Sequence, residues 1–443
     1  MSTAVYETTV PSKGLKGGSL GLVAVIVIGV ASTAPGYSLA ASIGLVTGEA
    51  GVKAPFIMLF AFVPMACIAA SFYYLNKADP DCGTNFTWGV RAFGPKAGWI
   101  AGWGCIVADL VIMPNLAGVS GQYLVLLFDE KKANNIYLTT FIGILFIIAM
   151  TWICWKGIEL SARSQVLLLG TELVVLAAFA VIAIGKSLGK GISRTSGDKT
   201  YHSIKPSLSW ISPSGLSSGA ITAGLVLAVF IYWGWDTCVS VNEEAKDSSK
   251  TPGRAAVLST VVLLAIYLTV SYGAVSLLGP DFVTDNADDA MYALGKIALP
   301  TIMVKLLVIA VLTSAAASCQ TTILPATRTM LSMGSHGAAP GQTGPDRSQA
   351  ADARLQLVAL RRRLDCLVPG LGARQPQHVH RCVQRVDRRR GNGHRRVLRA
   401  FRRLLHLVLQ AVDLQVLQEL RDDRLPAWLR RRRVDLRVLQ DRD

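Results

Sequence analysis

The chain alternates long apolar runs with short polar links. Runs over Leu20–Val46, Lys53–Asn76, Ala97–Phe128, Ile136–Trp155, Val166–Ile184, Ser217–Val241, Ala255–Leu278 and Ile302–Met333 are comparable to the ~20 residues of helix that cross a bilayer. They predict an all-α integral membrane protein with about eight spanning helices, preceded by a polar arm over residues 1–18. The first run is too long for a signal peptide, and no shorter apolar segment precedes it. Two runs are interrupted near their middles. In the first, Ser32, Thr33, Ala34, Pro35 and Gly36 are small or helix-breaking, and Pro35 leaves carbonyls near Ala31 without intrahelical partners. In the sixth, Gly234 sits among Phe230, Tyr232, Trp233 and Trp235 and is followed by Asp236.

Unpartnered backbone inside a membrane is tolerated only where protein, water or a ligand satisfies it. Taken singly, the first break reads equally as a kinked helix repaired by its neighbours, and the second as aromatic packing beside an interfacial Asp. Their placement in the first and sixth runs, corresponding members of two five-helix halves, is the pattern of inverted-repeat transporters with broken helices 1 and 6. A half-helix N-terminus suits a carboxylate, and freed carbonyls suit an ammonium. Together they suggest a zwitterion.

Composition sharpens this reading. Hydrophobic residues make up 51% of the chain and charged residues 17%, which suits a multispanning protein. The eight Cys form no CxxC pair and read as small buried residues. With no Walker loop, nucleotide fingerprint, HExxH or nucleophile–base cluster, the sequence predicts no enzyme and no cofactor beyond a coupling H+ or Na+. The net charge of +16 is unevenly spread: residues 1–340 carry about +3 and residues 341–443 about +13. Lys77, Arg91, Lys96, Lys156, Arg163, Lys246, Lys250 and Arg254 would share one face if the amino terminus is cytoplasmic, a bias that favours that orientation.

From about Leu15 to Pro340 the sequence resembles the amino acid–polyamine–organocation permeases. The resemblance rests on Gly234-Trp-Asp-Thr, Val241-Asn-Glu-Glu244, Lys246-Asp247 and Thr251-Pro-Gly-Arg254. It extends to Gly83 through Phe93-Gly-Pro95 to Gly102-Trp103, and to Ala326-Thr-Arg328 through Met333 to Pro340. It implies two inverted five-helix repeats plus two further helices, about eight of the expected twelve being present here. It also implies alternating access around a site made by helices one, three, six and eight, in the plasma membrane. Carried over by position, Ser32–Gly36 would face a substrate carboxylate, and Phe230, Tyr232, Trp233 and Gly234 would line or lid the pocket. Asp236 would gate or pair helices. Glu243, Glu244 and Arg254 would either latch a cytoplasmic gate or belong to a solvated loop. Glu172, where some proton-coupled relatives have Lys, is either a proton-exchanging group or a paired structural acid. Asp109, near Asn115, either coordinates a cation or joins a buried hydrogen-bond network. The expected solute is an amino acid, with a polyamine or other amine as the alternative. A membrane amino-acid sensor that does not transport is the rival from another class.

Residues 341–443 change character. They contain no Lys, Ile, Tyr or Met but about two dozen Arg, with runs at Arg361–Arg363, Arg388–Arg390 and Arg430–Arg433. Arg clusters bind phosphates, yet a phosphate-binding tail gains charge equally well from Lys. The complete lack of Lys therefore argues against a nucleic-acid partner. A frameshift explains the composition better. Suitable codons for His394–Arg402, shifted by one base, read Ile-Ala-Val-Tyr-Tyr-Gly-Leu-Ser, a plausible spanning sequence. The tail is thus expected to be out of frame and disordered, with helices nine to twelve lost. Such a chain would transport little.

Overall fold

In a computed structural model of the protein, the described residues are 13–196 and 198–338. Residues 1–12 of the arm and the whole Arg-rich tail lie outside them. The helices in chain order are α1 (Leu22–Thr33), α2 (Pro35–Ala50), α3 (Ala54–Ala78), α4 (Asn85–Phe93), α5 (Pro95–Leu126), α6 (Ile136–Lys156) and α7 (Ile158–Leu188). A hairpin of β1 (Ser193–Ser196) and β2 (Lys199–His202) follows. Then come α8 (Ser218–Ile231), α9 (Thr237–Ser240), α10 (Thr251–Asp285), α11 (Ala290–Ala298) and α12 (Thr301–Ser335).

By length and composition, six helical stretches among these residues can cross a membrane: Leu22–Ala78, Pro95–Leu126, Ile136–Lys156, Ile158–Leu188, Thr251–Asp285 and Thr301–Ser335. The first two expected segments fall inside Leu22–Ala78, and the sixth is the shorter α8 with the break that follows it. The fifth begins earlier than its apolar core, because Gly157 (φ 124°) alone separates α6 from α7. The expected polar loop 186–213 contains the antiparallel hairpin, a small departure from an all-α chain. On α7, Leu167, Val174 and Val181 lie a heptad apart and are 69–71% exposed. An outward apolar stripe of this kind is what a bilayer, not water, accommodates.

The order of elements repeats. A broken helix (α1/α2, then α8/α9) is followed by a long helix (α3, α10) and a nine-residue helix (α4, α11). Each repeat then enters a helix of more than 30 residues with an internal proline, Pro114 in α5 and Pro325 in α12. Pro95 opens α5 and Pro300 caps α12, positions where the missing N–H costs nothing. α1 packs against α7, α10 and α12, so its break lies in the interior. Between Ser314 and Thr327, α12 is buried without interruption and rich in Ser, Thr and Ala, small residues that allow close helix approach.

Candidate functional site

The first break is a single residue. α1 ends at Thr33, Ala34 takes a left-handed conformation (φ 50°, ψ 64°), and Pro35 starts α2. Proline suits a first helical position but cannot continue α1. The carbonyls freed at the end of α1 find partners inside the protein. Ser318 Oγ donates to the Ser32 carbonyl at 2.6 Å, Ser38 Oγ to the Thr33 carbonyl at 2.8 Å, and the Ala34 N–H to the Ala31 carbonyl at 3.1 Å.

The second break spans residues 232–236, between α8 and α9. Gly234 has φ 122°, and a Cβ built there would lie 2.8 Å from the Ser32 carbonyl oxygen and 3.0 Å from Thr33 Cα. Only glycine combines that backbone with so close an approach. The two interruptions therefore meet, and the Ser32 and Thr237 hydroxyls hydrogen-bond across them at 2.8 Å.

A small cavity of about 40 Å³ opens at this junction. α1 and α2 contribute Ser32, Thr33, Ala34, Tyr37 and Ser38; α5 contributes Asp109, Ile112 and Leu116. Phe230, Trp233, Gly234, Asp236 and Thr237 come from α8, its break and α9, and Ser318, Thr322 and Pro325 from α12. The structure thus gathers Ser32, Thr33, Ala34, Phe230, Trp233, Gly234, Asp109 and Asp236 from the candidates named above. It places Tyr232 elsewhere: the ring is fully buried, its hydroxyl donates to the Met58 carbonyl, and it packs edge-on against Tyr267. Pro35 and Gly36 start α2 without lining the cavity.

Glu172 is a link rather than a lining residue. Its Oε1 accepts from the Gly36 N–H at 2.6 Å and from Ser314 Oγ at 2.8 Å, tying α7 to α2 and α12. Asp109 Oδ2 has no hydrogen-bond partner among the described residues although Asp109 is 7% exposed. Asn115 pairs with Tyr37 through its hydroxyl at 2.8 Å and not with Asp109.

At one end of the helices lies an ionic cluster. Lys13 Nζ donates to Asp81 Oδ2 at 2.7 Å and Glu243 Oε1 at 2.6 Å. Asp81 Oδ1 also accepts from Ser332 Oγ and the Gly83 N–H, at 2.6 and 2.7 Å. Glu243 Oε1 accepts from the Cys82 N–H as well. Glu244 makes a two-pronged pair with Arg328 at 3.0 and 3.1 Å. Burial works against the Lys13 charge, but Cys82, Asp81 and Glu243 around it hold its pKa above the ordinary lysine range. Burial likewise opposes charge on Asp81, and the adjacent Lys13 overrides it, holding that carboxyl below its usual range. Burial pushes the Cys82 thiol well up.

Arg254 is exposed and makes none of these pairs; Glu244 binds Arg328 instead. Sequence reasoning missed Lys13, Asp81 and Arg328, and also Ser314 and Ser318. The serines carried a signal: Ser314, Ser318 and Thr322 recur every four residues, one hydroxyl face on an otherwise apolar helix.

Known proteins resemble this chain in sequence and in fold. A family model described as amino acid permease matches residues 20–344. The low-affinity putrescine importer PlaP of Escherichia coli is 24% identical over 284 residues, 63% of this chain and 59% of the relative. The branched-chain amino acid permease BcaP of Lactococcus lactis is 24% identical over 257 residues, 55% of this chain and 53% of the relative. The chain spans 53–65% of the length of such curated relatives. The crystal structure of MhsT in complex with L-phenylalanine superposes with a TM-score of 0.51 at 17% identity, covering 77% of this chain and 79% of that one; this likeness shows the fold. With the family match over most of its length and six helical stretches able to cross a membrane among the described residues, the chain belongs to the amino acid permease family and is a multi-pass membrane protein.

Proposed function

We propose that the membrane domain carries a small amine-bearing solute, an amino acid or related amine, across the plasma membrane by alternating access. The observation that supports this reading is the meeting of two helix breaks at one cavity. Irregular backbone at that depth is costly unless it serves a site. α1 and α8 both direct their C-terminal, partially negative ends toward the cavity, an arrangement suited to an ammonium. PlaP and BcaP are named for an amine and for amino acids, which fits either solute class.

In this reading the amino terminus is cytoplasmic, and the Lys13–Asp81–Glu243 and Glu244–Arg328 pairs form the inner gate. They join the arm, the loop after α3, the loop after α9 and the end of α12. Glu172 spans three helices that must shift if access alternates, so a coupling proton would act there.

The test is uptake of radiolabelled solute into proteoliposomes by a chain with residues 341–443 restored to the alternative frame, alongside binding to the 443-residue chain. Saturable uptake supports a carrier. Binding without flux in the restored chain refutes it in favour of a sensor. The 443-residue chain keeps every cavity residue and is expected to bind solute while transporting little.

A further inference from the structure

We infer that the cavity takes an organic cation without a carboxylate, a primary amine or diamine, in preference to a zwitterionic amino acid. This rests on the carrier reading and names its substrate class. A carboxylate needs hydrogen-bond donors, and a broken first helix would ordinarily supply them from the start of its second half. In this chain each of those donors is engaged. Pro35 has no N–H, the Gly36 N–H goes to Glu172 Oε1, the Tyr37 N–H to Ser314 Oγ at 3.2 Å, and the Ser38 N–H to the Ala34 carbonyl at 2.8 Å. Glu172 in effect occupies the place of a substrate carboxylate.

All but one of the lining hydroxyl protons are engaged too. Thr33 Oγ1 donates to the Gly29 carbonyl, Ser38 Oγ to the Thr33 carbonyl, Ser318 Oγ to the Ser32 carbonyl and Thr322 Oγ1 to the Ser318 carbonyl. Ser32 and Thr237 share one bond, which leaves one of their two hydroxyl protons as a donor still available, and the Tyr37 hydroxyl donates to Asn115.

The ionisable groups of the lining, in contrast, are all acids. The lining contains Asp109 and Asp236 and no Lys, Arg or His. Asp109 Oδ2 is buried beside the cavity without a partner among the described residues, a costly condition that an entering donor relieves. An ammonium offers three donors and favours the ionised form of a carboxyl within a few ångströms. A carboxylate entering the same space meets two acids and the negative ends of two helices. Repulsion in so dry a site greatly exceeds that in water.

The experiment uses the full 443-residue chain in detergent and matched probes: arginine against agmatine, and leucine against isopentylamine, each pair differing by the carboxylate. Displacement of bound tritiated agmatine is read at equilibrium. The expected result is that each amine binds at least about ten-fold more tightly than its amino acid, roughly the contribution of one charge-assisted contact. Asp109→Asn is expected to weaken both amines by about ten-fold or more. Glu172→Ala, which frees the Gly36 N–H, is expected to narrow the gap by strengthening the amino acids. An amino acid that binds as tightly as its amine overturns the inference while leaving the carrier reading intact. Failure of all four solutes to bind a chain that retains its helical circular dichroism overturns the carrier reading, and the inference with it.

Discussion

The ionic cluster at the arm gives a prediction with a defined size. Lys13 has 6% of its side chain exposed and is held by two carboxylates, Asp81 and Glu243, whose side chains are 18% and 25% exposed. Lys13→Met keeps most of the aliphatic volume and removes the charge. The two carboxylates then face each other across the vacated position. Removing one partner of a fully buried pair costs about 3–5 kcal/mol. The residual exposure here, and the bonds Asp81 keeps with Ser332 and Gly83, argue for a smaller cost, about 2 kcal/mol. If the pair holds a gate shut, that cost shifts the closed–open balance by roughly 30-fold.

Cys82 reports the shift. It is fully buried, with Sγ 3.6 Å from Lys13 Nζ and 3.5 Å from the Arg328 carbonyl, so it reacts only when the cluster parts. In a chain retaining Cys82 as its sole cysteine, Lys13→Met should raise the maleimide labelling rate by roughly 30-fold. Glu244→Gln, which weakens the separate Arg328 pair, should raise it as well. Labelling at the unsubstituted rate in both variants, in chains with unchanged circular dichroism, would refute a latch.

Three further outcomes are expected. The stability difference between the parent chain and Lys13→Met should be constant between about pH 7 and pH 9 and narrow toward pH 5, where a carboxylate left unpaired in the variant takes up a proton. Lys13, with its pKa raised, contributes fully below the unfolded lysine value and loses its contribution only as pH rises through its folded value. Asp81, with its pKa lowered, contributes above the unfolded aspartate value and loses its contribution as pH falls through its folded value; thermal unfolding monitored by tryptophan fluorescence across that range checks the flat window. Gly234→Ala should destabilise the fold by about 2 kcal/mol or more, from the strained φ and the contact with the Ser32 carbonyl, and should abolish solute binding, as read by calorimetry. Sequencing the gene across the codons for residues 331–443 should show a second open frame encoding apolar segments; stops in that frame would make the Arg-rich tail genuine.

The breaks were legible because Pro35, Gly36 and Gly234 have few other uses inside an apolar run. The same holds for Asp109, Glu172 and Asp236, acids that hydrocarbon does not accept without a reason. Side-chain direction was harder to read. Phe230, Tyr232 and Trp233 are nearly consecutive, and the family resemblance assigns all three to the pocket. Positions three apart share a helix face while a position two away turns to the other side. Phe230 and Trp233 accordingly line the cavity, and Tyr232 points into the core. The ion pairs were hidden for a different reason. Glu244 and Arg328 are 84 residues apart and Lys13 and Glu243 are 230 apart, separations at which no local pattern selects a partner. Arg254 entered through the resemblance, as part of Thr251-Pro-Gly-Arg254 in the same loop as the two glutamates, which names a loop and not a partner.

The substrate side of the site shows how far such a reading reaches. A Pro-Gly step in the first run correctly marks the start of a half-helix, and from there a carboxylate site follows by general electrostatics. What sequence does not show is whether those N–H groups are still free. That depends on a residue 136 positions away, Glu172, whose Oε1 takes the Gly36 N–H, and on Ser314, which takes that of Tyr37. Both were visible as polar groups in apolar helices, but their effect on specificity exists only once the helices are packed. A positive helix end covered by an internal acid no longer selects for an anion. What remains without a partner at the cavity among the described residues is Asp109 Oδ2, beside the negative ends of α1 and α8, whereas the Asp236 carboxyl accepts from the Gly234 N–H.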